Sequence, residues 1–504
     1  MPHAEQAAWH MFQASERRSS VGIFGDFDVD GLTGTAILVR ALQDHGIKTI
    51  TYIPDRVKEG HGLSTKAIDI LNEHGADLIV TVDTGTTAVD EVAYASDRGI
   101  RTVITDHHLA GAQLPEAAAI VNPQANGAPD DARDLSGAGV AFKIAQLLYE
   151  HSERPIPASL ISLAGLGTLA DVVPLRGDNR LITSIGLQQL MSTDHPGLRC
   201  LVDMACVDRV GGPLTARDVT FQITPRLNAP GRLTNADPAL RLLTTSDPKE
   251  AEMLASRLDT INDERRSLGK QAWSEAMTII DPSPLSSPVL IARIDWVHPG
   301  LLGPLAGRLC GEFMRPAIAI AVSDGVARAS LRSVAEFDVH SALLPHVEDL
   351  LRFGGHSRAA GFTVREELLD KILDSLQQQA RWSMAGLETI PALEVDTELE
   401  FSQISHELWD FVDQMAPFGE GNSSPVFVTR GVQPVQVRTM GSGRHLRFSA
   451  RHTGQRFDAL GFGFGSTNLG PDLVDIAYSL RTSYWKGKRR RELELIDITP
   501  SEKQ

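Results

Sequence analysis

Cysteine is scarce in this sequence, with three residues among 504, and no two of them form a C-x-x-C pair. Cys200, Cys206 and Cys310 are too few for a disulfide framework, so we expect core cysteines and a reducing, cytoplasmic compartment. No apolar run reaches the roughly 18–20 residues that a membrane-spanning helix needs. The first 20 residues also lack the apolar core of a secretion signal. With 42% hydrophobic and 22% charged residues, the composition indicates a globular protein with several cores.

Positive charge is also in short supply, and the net charge of −16 is unusual for a protein that binds nucleic acid. The charge is unevenly distributed, however. Residues 430–504 contain 13 Lys and Arg against 7 Asp and Glu, so this segment carries +6 and the remainder carries −22. A basic C-terminal segment joined to an acidic body permits a nucleic-acid partner without proving one.

The spacing of apolar residues predicts the organisation of the chain. In the first 190 residues, helix-like stretches alternate with short runs rich in Val and Ile, and these runs predict strands at Ser20–Phe24, Asp77–Val82, Arg101–Thr105 and Ala118–Val121. This alternation favours an α/β fold with an open, mostly parallel sheet. The later segments predict a helical connector with a long helix (191–275), a second α/β domain (276–385) and a small antiparallel barrel (386–504).

Acidic residues and histidines follow three of the predicted strands directly, in GDFDVDG (25–31), DTG (83–85) and TDHH (105–108). The C-terminal ends of parallel strands share one edge of a sheet, where ligands bind. The candidate ligands at this edge are Asp28, Asp30, Asp83 and His107. Asp26 ranks below Asp28 and Asp30, because a single Asp after a strand is commonly a turn or cap residue.

Crowded carboxylates would repel one another and become protonated unless a cation neutralised them. Mixed carboxylate and imidazole ligands suit Mn²⁺ or Mg²⁺, and the imidazole favours Mn²⁺. With Asp171, just past an apolar helical run, the ligands are too many for one small ion that keeps positions open for water and substrate. We therefore predict two ions bridged by Asp83. A calcium EF-hand is excluded, because position 12 of a loop counted from Asp26 is Ile37 instead of Glu.

Four motifs, DFDVDG (26–31), VTVDTG (80–85), TDHH (105–108) and ADVVPL (170–175), resemble in order and spacing those of the DHH phosphoesterase superfamily. Further stretches are similar to the RecJ-type single-strand-specific 5′→3′ exonucleases, namely PDRVKEGHGLS (54–64), LSGAGVAFKIAQLL (135–148), PRLNAPGRL (225–233), GGHSRAAGF (354–362) and PFGEGNSSPVF (417–427). The resemblance covers roughly residues 20–500. One departure is His61, which replaces the family's usual tyrosine and weakens a base-stacking role there.

The resemblance implies a DHH domain with the metal site (1–190), a DHH-associated substrate-binding domain (276–385) and an OB-fold-like nucleic-acid-binding domain (386–504). By position, the implied metal ligands are Asp28, Asp30, Asp83, His107 and Asp171. The implied catalytic residues are His108 and His356, both close to the phosphate. With the contacts suggested by the residues themselves, the predicted substrate-binding set is Arg226, Asn228, Arg232, Arg332, Ser333, Gly354, Gly355, His356, Lys488 and Arg489.

Three parts of this set have a structural alternative. The 354–356 segment clamps a phosphate, or it is a glycine turn with a surface histidine. The arginines of the 225–233 segment bind phosphate, or they pair with the acidic body. The basic run 486–491, beside Tyr484 and Trp485, binds single strands, or it is a solvated hairpin.

The sequence thus predicts a two-metal, single-strand-specific DNA exonuclease of DNA repair and recombination, with the 5′→3′ direction implied by the resemblance alone. Expected partners are single-stranded DNA and, by resemblance, a single-strand-binding protein and a helicase; we expect a monomer without membrane contact. Two rival classes remain. A phosphodiesterase for short oligonucleotides or cyclic dinucleotides would not need the basic barrel, and a non-catalytic DNA-binding subunit could readily have lost a ligand.

Overall fold

The computed structural model describes residues 1–16, 19–124, 132–206, 212–280, 287–385, 392–485 and 488–501. Of the predicted basic run 486–491, residues 486 and 487 lie outside the described residues. Among the described residues, no helix combines the length and apolar character needed to cross a bilayer.

The described strands form three sheets. They are β1 (Ser20–Gly25), β2 (Lys48–Tyr52), β3 (Ala76–Val82), β4 (Arg101–Thr105), β5 (Ala119–Val121), β6 (Leu290–Arg293), β7 (Ala317–Ser323), β8 (Val326–Arg332), β9 (Leu350–His356), β10 (Ala359–Arg365), β11 (Thr397–Glu398), β12 (Phe427–Met440), β13 (His445–His452), β14 (Gln455–Gly461), β15 (Val474–Trp485) and β16 (Lys488–Pro500).

Most of the described helices cover the first two sheets or connect them, and the last one packs against the C-terminal sheet. They are α1 (Ala4–Glu16), α2 (Val29–Asp44), α3 (Thr65–Glu73), α4 (Val89–Asp97), α5 (Gly137–His151), α6 (Ala158–Asp171), α7 (Gly177–Met191), α8 (Pro196–Ala205), α9 (Ala216–Asp218), α10 (Thr224–Leu233), α11 (Asp237–Thr244), α12 (Pro248–Ile279), α13 (Pro299–Phe313), α14 (Val339–Leu343), α15 (Glu366–Ser383) and α16 (His406–Gln414). A π-helical segment, Val219–Ile223, joins α9 to α10.

The first sheet has the order β2-β1-β3-β4-β5 and all its neighbours are parallel, which confirms the predicted fold class. The four predicted strands are present. The β2 edge strand was not predicted, because KTITY is short and only partly buried. Strand β1 is buried throughout, since helices pack on both faces of a parallel sheet.

The second sheet, of order β6-β7-β8-β10-β9, is mixed, with β6 parallel to β7 and the other pairs antiparallel. The 32-residue helix α12 precedes it, as the long charged stretch predicted. Its N-terminal half packs in the core of the first domain through Leu254 and Leu258, while Ala272 and Ala276 near its C-terminus pack in the core beneath the second sheet. This helix therefore joins the two α/β layers as one rigid element.

The C-terminal strands close into a five-stranded barrel, because β12 pairs with both β13 and β15. The first long strand of the barrel, β12, is continuous over 14 residues. The two-residue strand β11 and the helix α16, which the sequence interpretation missed, precede it. The buried Trp409 of α16 packs in the barrel core.

Candidate metal centre and nucleic-acid interface

The edge of the first sheet begins with Asp28, the N-cap residue of α2. Its Oδ1 accepts hydrogen bonds from the backbone N–H groups of Asp30 (2.9 Å) and Gly31 (3.1 Å). This cap lets α2 begin at Val29, directly after Asp28. The same hydrogen bonds fix the carboxylate of Asp28 at the strand end.

Asp30 is held by the N-terminus of another helix. Its Oδ2 accepts the N–H of Gly137 (2.6 Å) and its Oδ1 accepts the N–H of Ala138 (2.9 Å), both at the start of α5. Helix N-termini carry partial positive charge, so this contact stabilises a buried carboxylate. The LSGAGVAF segment thus serves to orient Asp30.

Asp83, His107 and Asp171 complete the edge. His107 Nε2 lies 3.0 Å from Asp83 Oδ1, 3.6 Å from Asp171 Oδ2 and 3.7 Å from Asp30 Oδ2. Asp83 Oδ1 and His107 Nε2 are buried, yet neither makes a hydrogen bond of acceptable geometry. Unsatisfied polar atoms are rare in a protein interior, so their convergence indicates a site that binds a cation.

The pKa values of these side chains also show the cost of burying several negative charges close together. Burial, with the charges of Asp26 and Asp171, raises the pKa of Asp28 to about 6. Burial and the neighbouring carboxylates raise the pKa values of Asp30 and Asp83 well above the usual range. Burial lowers the pKa of His107. A cation at this place would favour the charged carboxylates and the neutral imidazole, which are the ligating forms.

His108 is oriented by Asp106, whose role the sequence interpretation did not assign. Asp106 Oδ1 lies 2.8 Å from His108 Nδ1 and also accepts the backbone N–H groups of His107 and His108, while its Oδ2 accepts the N–H of Thr86. Its hydrogen bond to Asp106 raises the pKa of His108 to about 9, and the pKa of Asp106 is held below its usual range. In the metal-free protein this hydrogen bond favours the protonated form of His108.

The donor set fits two small divalent cations. Three groups of side chains have ligand atoms within 4.8 Å of one another, namely Asp83 with His107 and His108, Asp30 with His107 and Asp171, and Asp26 with Asp28 and Asp83. Oxygen donors with one or two imidazole nitrogens suit Mn²⁺ and Mg²⁺. Asp83 and His107 each belong to two of these groups, and the bridging position of Asp83 stays a prediction. Asp26, which ranked lower in the sequence interpretation, is also among these ligand groups.

Four arginines form a cluster around Arg232, and two of them, Arg56 and Arg232, lie close enough to Asp28 of the acidic edge to interact with its charge. Arg232, on α10, has its pKa lowered to about 10 by burial and by the charges of Arg56, Arg265 and Arg332. None of the four forms an ion pair with a described residue. Arg232 and Arg332 were predicted as substrate contacts. Arg56 and Arg265 were missed, although Arg56 belongs to the PDRVKEGHGLS stretch, because sequence spacing does not reveal which charges face each other across domains.

The remaining predicted substrate contacts differ in burial and in whether their polar atoms already have a hydrogen-bond partner within the protein. Arg226 donates to Asp259 Oδ1 (2.8 Å), and Asn228 lies half-buried one turn before Arg232. Ser333 is buried and its hydroxyl donates to the carbonyl oxygen of Phe337 (2.6 Å). Their roles as substrate contacts stay predictions.

The glycine–glycine–histidine turn is open to solvent. Gly354, Gly355 and His356 end β9 and are all exposed. Gly355 has φ 137°, and a Cβ there would lie 2.4 Å from the carbonyl oxygen of Ala359, so only glycine fits. Arg352 of β9, in the second domain, donates to the carbonyl oxygen of Lys58 in the first domain (3.2 Å). His61 lies on Phe27, with ring centroids 4.5 Å apart, and its Nδ1 is 3.6 Å from Asp26 Oδ2.

The basic run on β16 is partly neutralised. Arg489 donates to Asp410 (3.0 Å) and Asp413 (2.8 Å) of α16, and Arg491 also pairs with Asp410. Lys488 and Arg490 are exposed and make no ion pair with a described residue. The sequence did not show this pairing, because α16 lies about 80 residues earlier.

Family models match three parts of the chain. They are described as "DHH family, N-terminal domain" (20–168), "DHHA1 domain" (286–381) and "RecJ OB domain" (395–497). With the carboxylate edge at the parallel sheet, these matches define a protein of the DHH class.

Comparison with individual relatives identifies the family within this class. The single-stranded-DNA-specific exonuclease RecJ of Bacillus subtilis is 34% identical over 511 residues, a stretch that covers 100% of this chain and 64% of the relative. The chain thus spans just under two thirds of that protein's length. RecJ of Dickeya dadantii is 34% identical over 523 residues, covering 98% of this chain and 90% of the relative. The chain belongs to the RecJ family of single-stranded-DNA-specific exonucleases.

Solved structures agree with this assignment. The crystal structure of Thermus thermophilus RecJ in complex with Mn²⁺ is similar with a TM-score of 0.84 at 31% identity, covering 99% of this chain and 72% of that one. The Mg²⁺ complex of the same protein has a TM-score of 0.77 at 29% identity, with coverage of 99% and 70%.

Proposed function

We propose that this chain is a metal-dependent exonuclease that hydrolyses single-stranded DNA in the 5′→3′ direction during DNA repair and recombination. One observation carries the proposal: unsatisfied carboxylate and imidazole ligands lie beside two arginines, Arg56 and Arg232, that have no ion-pair partner among the described residues. Divalent cations satisfy the first set and a phosphodiester satisfies both. The names of the relatives support single-stranded DNA as the substrate.

Two cations of Mn²⁺ or Mg²⁺ fit the ligand groups. Asp30, His107 and Asp171 would hold one ion, Asp26 and Asp28 the other, and Asp83 both. When bound, such ions stabilise negative charge at phosphorus and make a water molecule a better nucleophile. The Mn²⁺ and Mg²⁺ complexes of the Thermus relative support this choice of metal.

The chain's own residues bind and orient the phosphate. Arg56, Arg232, Arg265 and Arg332 supply fixed positive charge in a partly buried place, where charge-assisted hydrogen bonds are strong. His108 uses Nδ1 toward Asp106, a contact that favours its protonated form, and its Nε2 would then donate to a phosphoryl oxygen. His356, exposed on β9, is proposed as the donor from the second domain.

Each domain has a separate part in binding and hydrolysing the substrate. We propose that residues 1–190 carry the metal site, that 191–275 connect, that 276–385 bind the phosphate side of the substrate and that 386–504 guide the strand. Exposed Lys488 and Arg490 on β16 offer charge for the DNA backbone. By family resemblance, we further propose a cytoplasmic monomer that meets a single-strand-binding protein and a helicase.

End-labelled substrates test the function. A 30-mer labelled at either end, its duplex form and a dinucleotide would be digested with Mn²⁺, Mg²⁺ or chelator. We expect mononucleotides released from the 5′ end of the single strand, none from the blunt duplex and no activity in chelator. Faster turnover of the dinucleotide than of the 30-mer would contradict the proposal and favour a small-oligonucleotide phosphodiesterase.

A further inference from the structure

The barrel contacts the segment that carries Asp171. We call residues 172–176 the Asp171 turn and residues 415–422 the barrel entry loop. In the turn, the N–H of Leu175 donates to the carbonyl oxygen of Glu420 (2.7 Å) and Arg176 Nε donates to that of Gly421 (3.2 Å). Arg180, on α7, donates to the carbonyl oxygen of Met415 (2.7 Å). The motifs ADVVPL and PFGEGN, 247 residues apart, thus meet in space.

Both sides of this contact are fixed in place. Asn422 Nδ2 donates to the carbonyl oxygens of Met415 (3.0 Å) and Pro417 (2.8 Å), which hold the barrel entry loop in shape. Gly421 has φ 67°, and a Cβ there would lie 3.0 Å from Cβ of Pro174, so the loop approaches the turn as closely as glycine allows. On the other side, the buried Asn179 donates to the carbonyl oxygen of Pro174 (3.1 Å).

The Asp171 turn is strained at its first residue. Val172 ends α6 in the left-handed conformation (φ 63°, ψ 31°) and is 60% exposed. This conformation is unfavourable for a branched residue, and helices usually place glycine there. Exposed Val172 has little packing of its own to offset the cost. The hydrogen bonds that follow in the turn are therefore what hold the backbone at Asp171 in this geometry.

We propose that the barrel entry loop is a positioning element for the metal centre: by holding the Asp171 turn, it keeps the Asp171 carboxylate 3.6 Å from His107 Nε2. This inference rests on the proposed function and adds to the barrel a role besides DNA binding. It assigns positioning roles to Arg176 and Arg180, which do not reach the ligand atoms themselves.

The test compares two arginines that join the barrel to the body. Arg180→Ala removes the bond to the barrel entry loop, and Arg180→Lys retains the charge. Arg217→Ala is the matched control, because Arg217 pairs with Glu494 of β16 and does not touch the Asp171 turn. For each full-length variant, Mn²⁺ affinity is measured from the EPR signal of the free ion, and kcat and KM are measured on a trinucleotide. Circular dichroism and Tm establish that each variant is folded.

We expect Arg180→Ala to weaken binding of the more weakly held Mn²⁺ about 10-fold, the lower end of the effect of losing a group that orients a ligand. Its kcat should fall similarly with KM unchanged, excess Mn²⁺ should restore it, and Arg180→Lys should retain most of the affinity. Equal losses of Mn²⁺ affinity in Arg180→Ala and Arg217→Ala would overturn the proposal. Any weakening of the contact between the barrel and the rest of the protein would then be enough to explain the loss. Unchanged Mn²⁺ affinity in folded Arg180→Ala would also overturn it.

A second variant tests the strain directly. Val172→Gly removes the cost of the left-handed conformation, so adding it to Arg180→Ala should recover part of the Mn²⁺ affinity. A double variant no better than Arg180→Ala would contradict the positioning argument. If the wild type bound Mn²⁺ without cleaving DNA, the proposed function would fail, yet these titrations would still decide the inference.

Discussion

Asp83, the predicted bridging ligand of the proposed metal site, has an unusual backbone conformation. Its φ of 62° is in the left-handed region, which aspartate adopts more readily than most residues. Its N–H donates to the carbonyl oxygen of Thr105 (2.9 Å), so the residue is fixed between the ends of β3 and β4. The buried carboxylate is unfavourable without metal and is shared by two ligand groups.

Asp83→Ala should abolish cleavage, because losing a shared ligand disrupts both ions. We expect turnover to fall by more than the roughly 10³-fold that follows loss of one transition-state donor. The metal-free protein should become more stable, since a buried, repelled carboxylate is removed. Steady-state rates on a labelled 30-mer and chelator Tm values measure the two effects. Retention of a tenth of wild-type turnover would rule out the shared position.

His356→Ala should lower turnover about 10²–10³-fold while metal stoichiometry stays the same, because His356 is proposed to donate to the phosphate and not to ligate metal. Turnover and Mn²⁺ content after gel filtration are the measurements. Asp106→Asn is the informative comparison, because it removes the negative charge beside His108 and should lower the pH at which activity declines. Loss of one metal from His356→Ala would place this side chain among the ligands instead.

At the residue scale, the sequence predicts best the candidate ligands that directly follow a strand. Asp28, Asp30, Asp83 and His107 follow directly from the period and order of parallel strands. The sequence did not indicate that Asp26 is a candidate ligand or that Asp106 orients His108. Whether a carboxylate acts as a cap, an orienting group or a ligand depends on the direction in which it points. Arg56 and Arg265 could not be assigned, since their charges come together only when separate elements pack.

Among the elements, the pairing of α16 with β16 changes how the basic run should act. Arg489 and Arg491 are held by the carboxylates of α16, while Lys488 and Arg490 are exposed. The helix was missed because HELWDFVDQ is short and lies between strand-like segments. The sequence alone therefore presented the whole basic run as available charge, whereas the structure leaves Lys488 and Arg490 without ion pairs among the described residues.

Replacing Lys488 and Arg490 with Ser should reduce the slope of log K against log salt for a 40-mer by about 1.4, or about 0.7 for each phosphate that is no longer neutralised. Turnover of a trinucleotide should be unchanged. The matched variant, with Arg489 and Arg491 replaced, should affect the slope less and lower the Tm, because its ion pairs with α16 are removed. A larger slope change in the second variant would show that DNA displaces the α16 carboxylates.

For the whole molecule, metal and pH should control stability together. The pKa of Asp28 is about 6 in the fold and near 3.9 in an unfolded chain, so between these values the folded state binds more protons. Stability in chelator should therefore fall as pH rises from 5 to 7. Each kcal/mol lost corresponds to about 2–4 °C in Tm for domains of 150–250 residues. Thermal melts at pH 5 and pH 7 measure this.

Mn²⁺ should raise the Tm at pH 7 and weaken or reverse the pH trend, because it binds the ionised carboxylates of the folded state. Asp28→Asn, which cannot ionise, should show a smaller fall in chelator than the wild type. A Tm in chelator that rises from pH 5 to pH 7 would contradict the burial of these carboxylates.

The contact between the barrel entry loop and the Asp171 turn also has a consequence for the order of events during synthesis. The predicted ligands from Asp28 to Asp171 leave the ribosome first, and the loop follows about 250 residues later, which takes about 12–50 s at 5–20 residues per second. During that interval the nascent chain has every ligand but not the loop that holds the last of them. A chain released early by a broken message would therefore be a poor nuclease, so truncated products would pose little danger to the cell's own DNA.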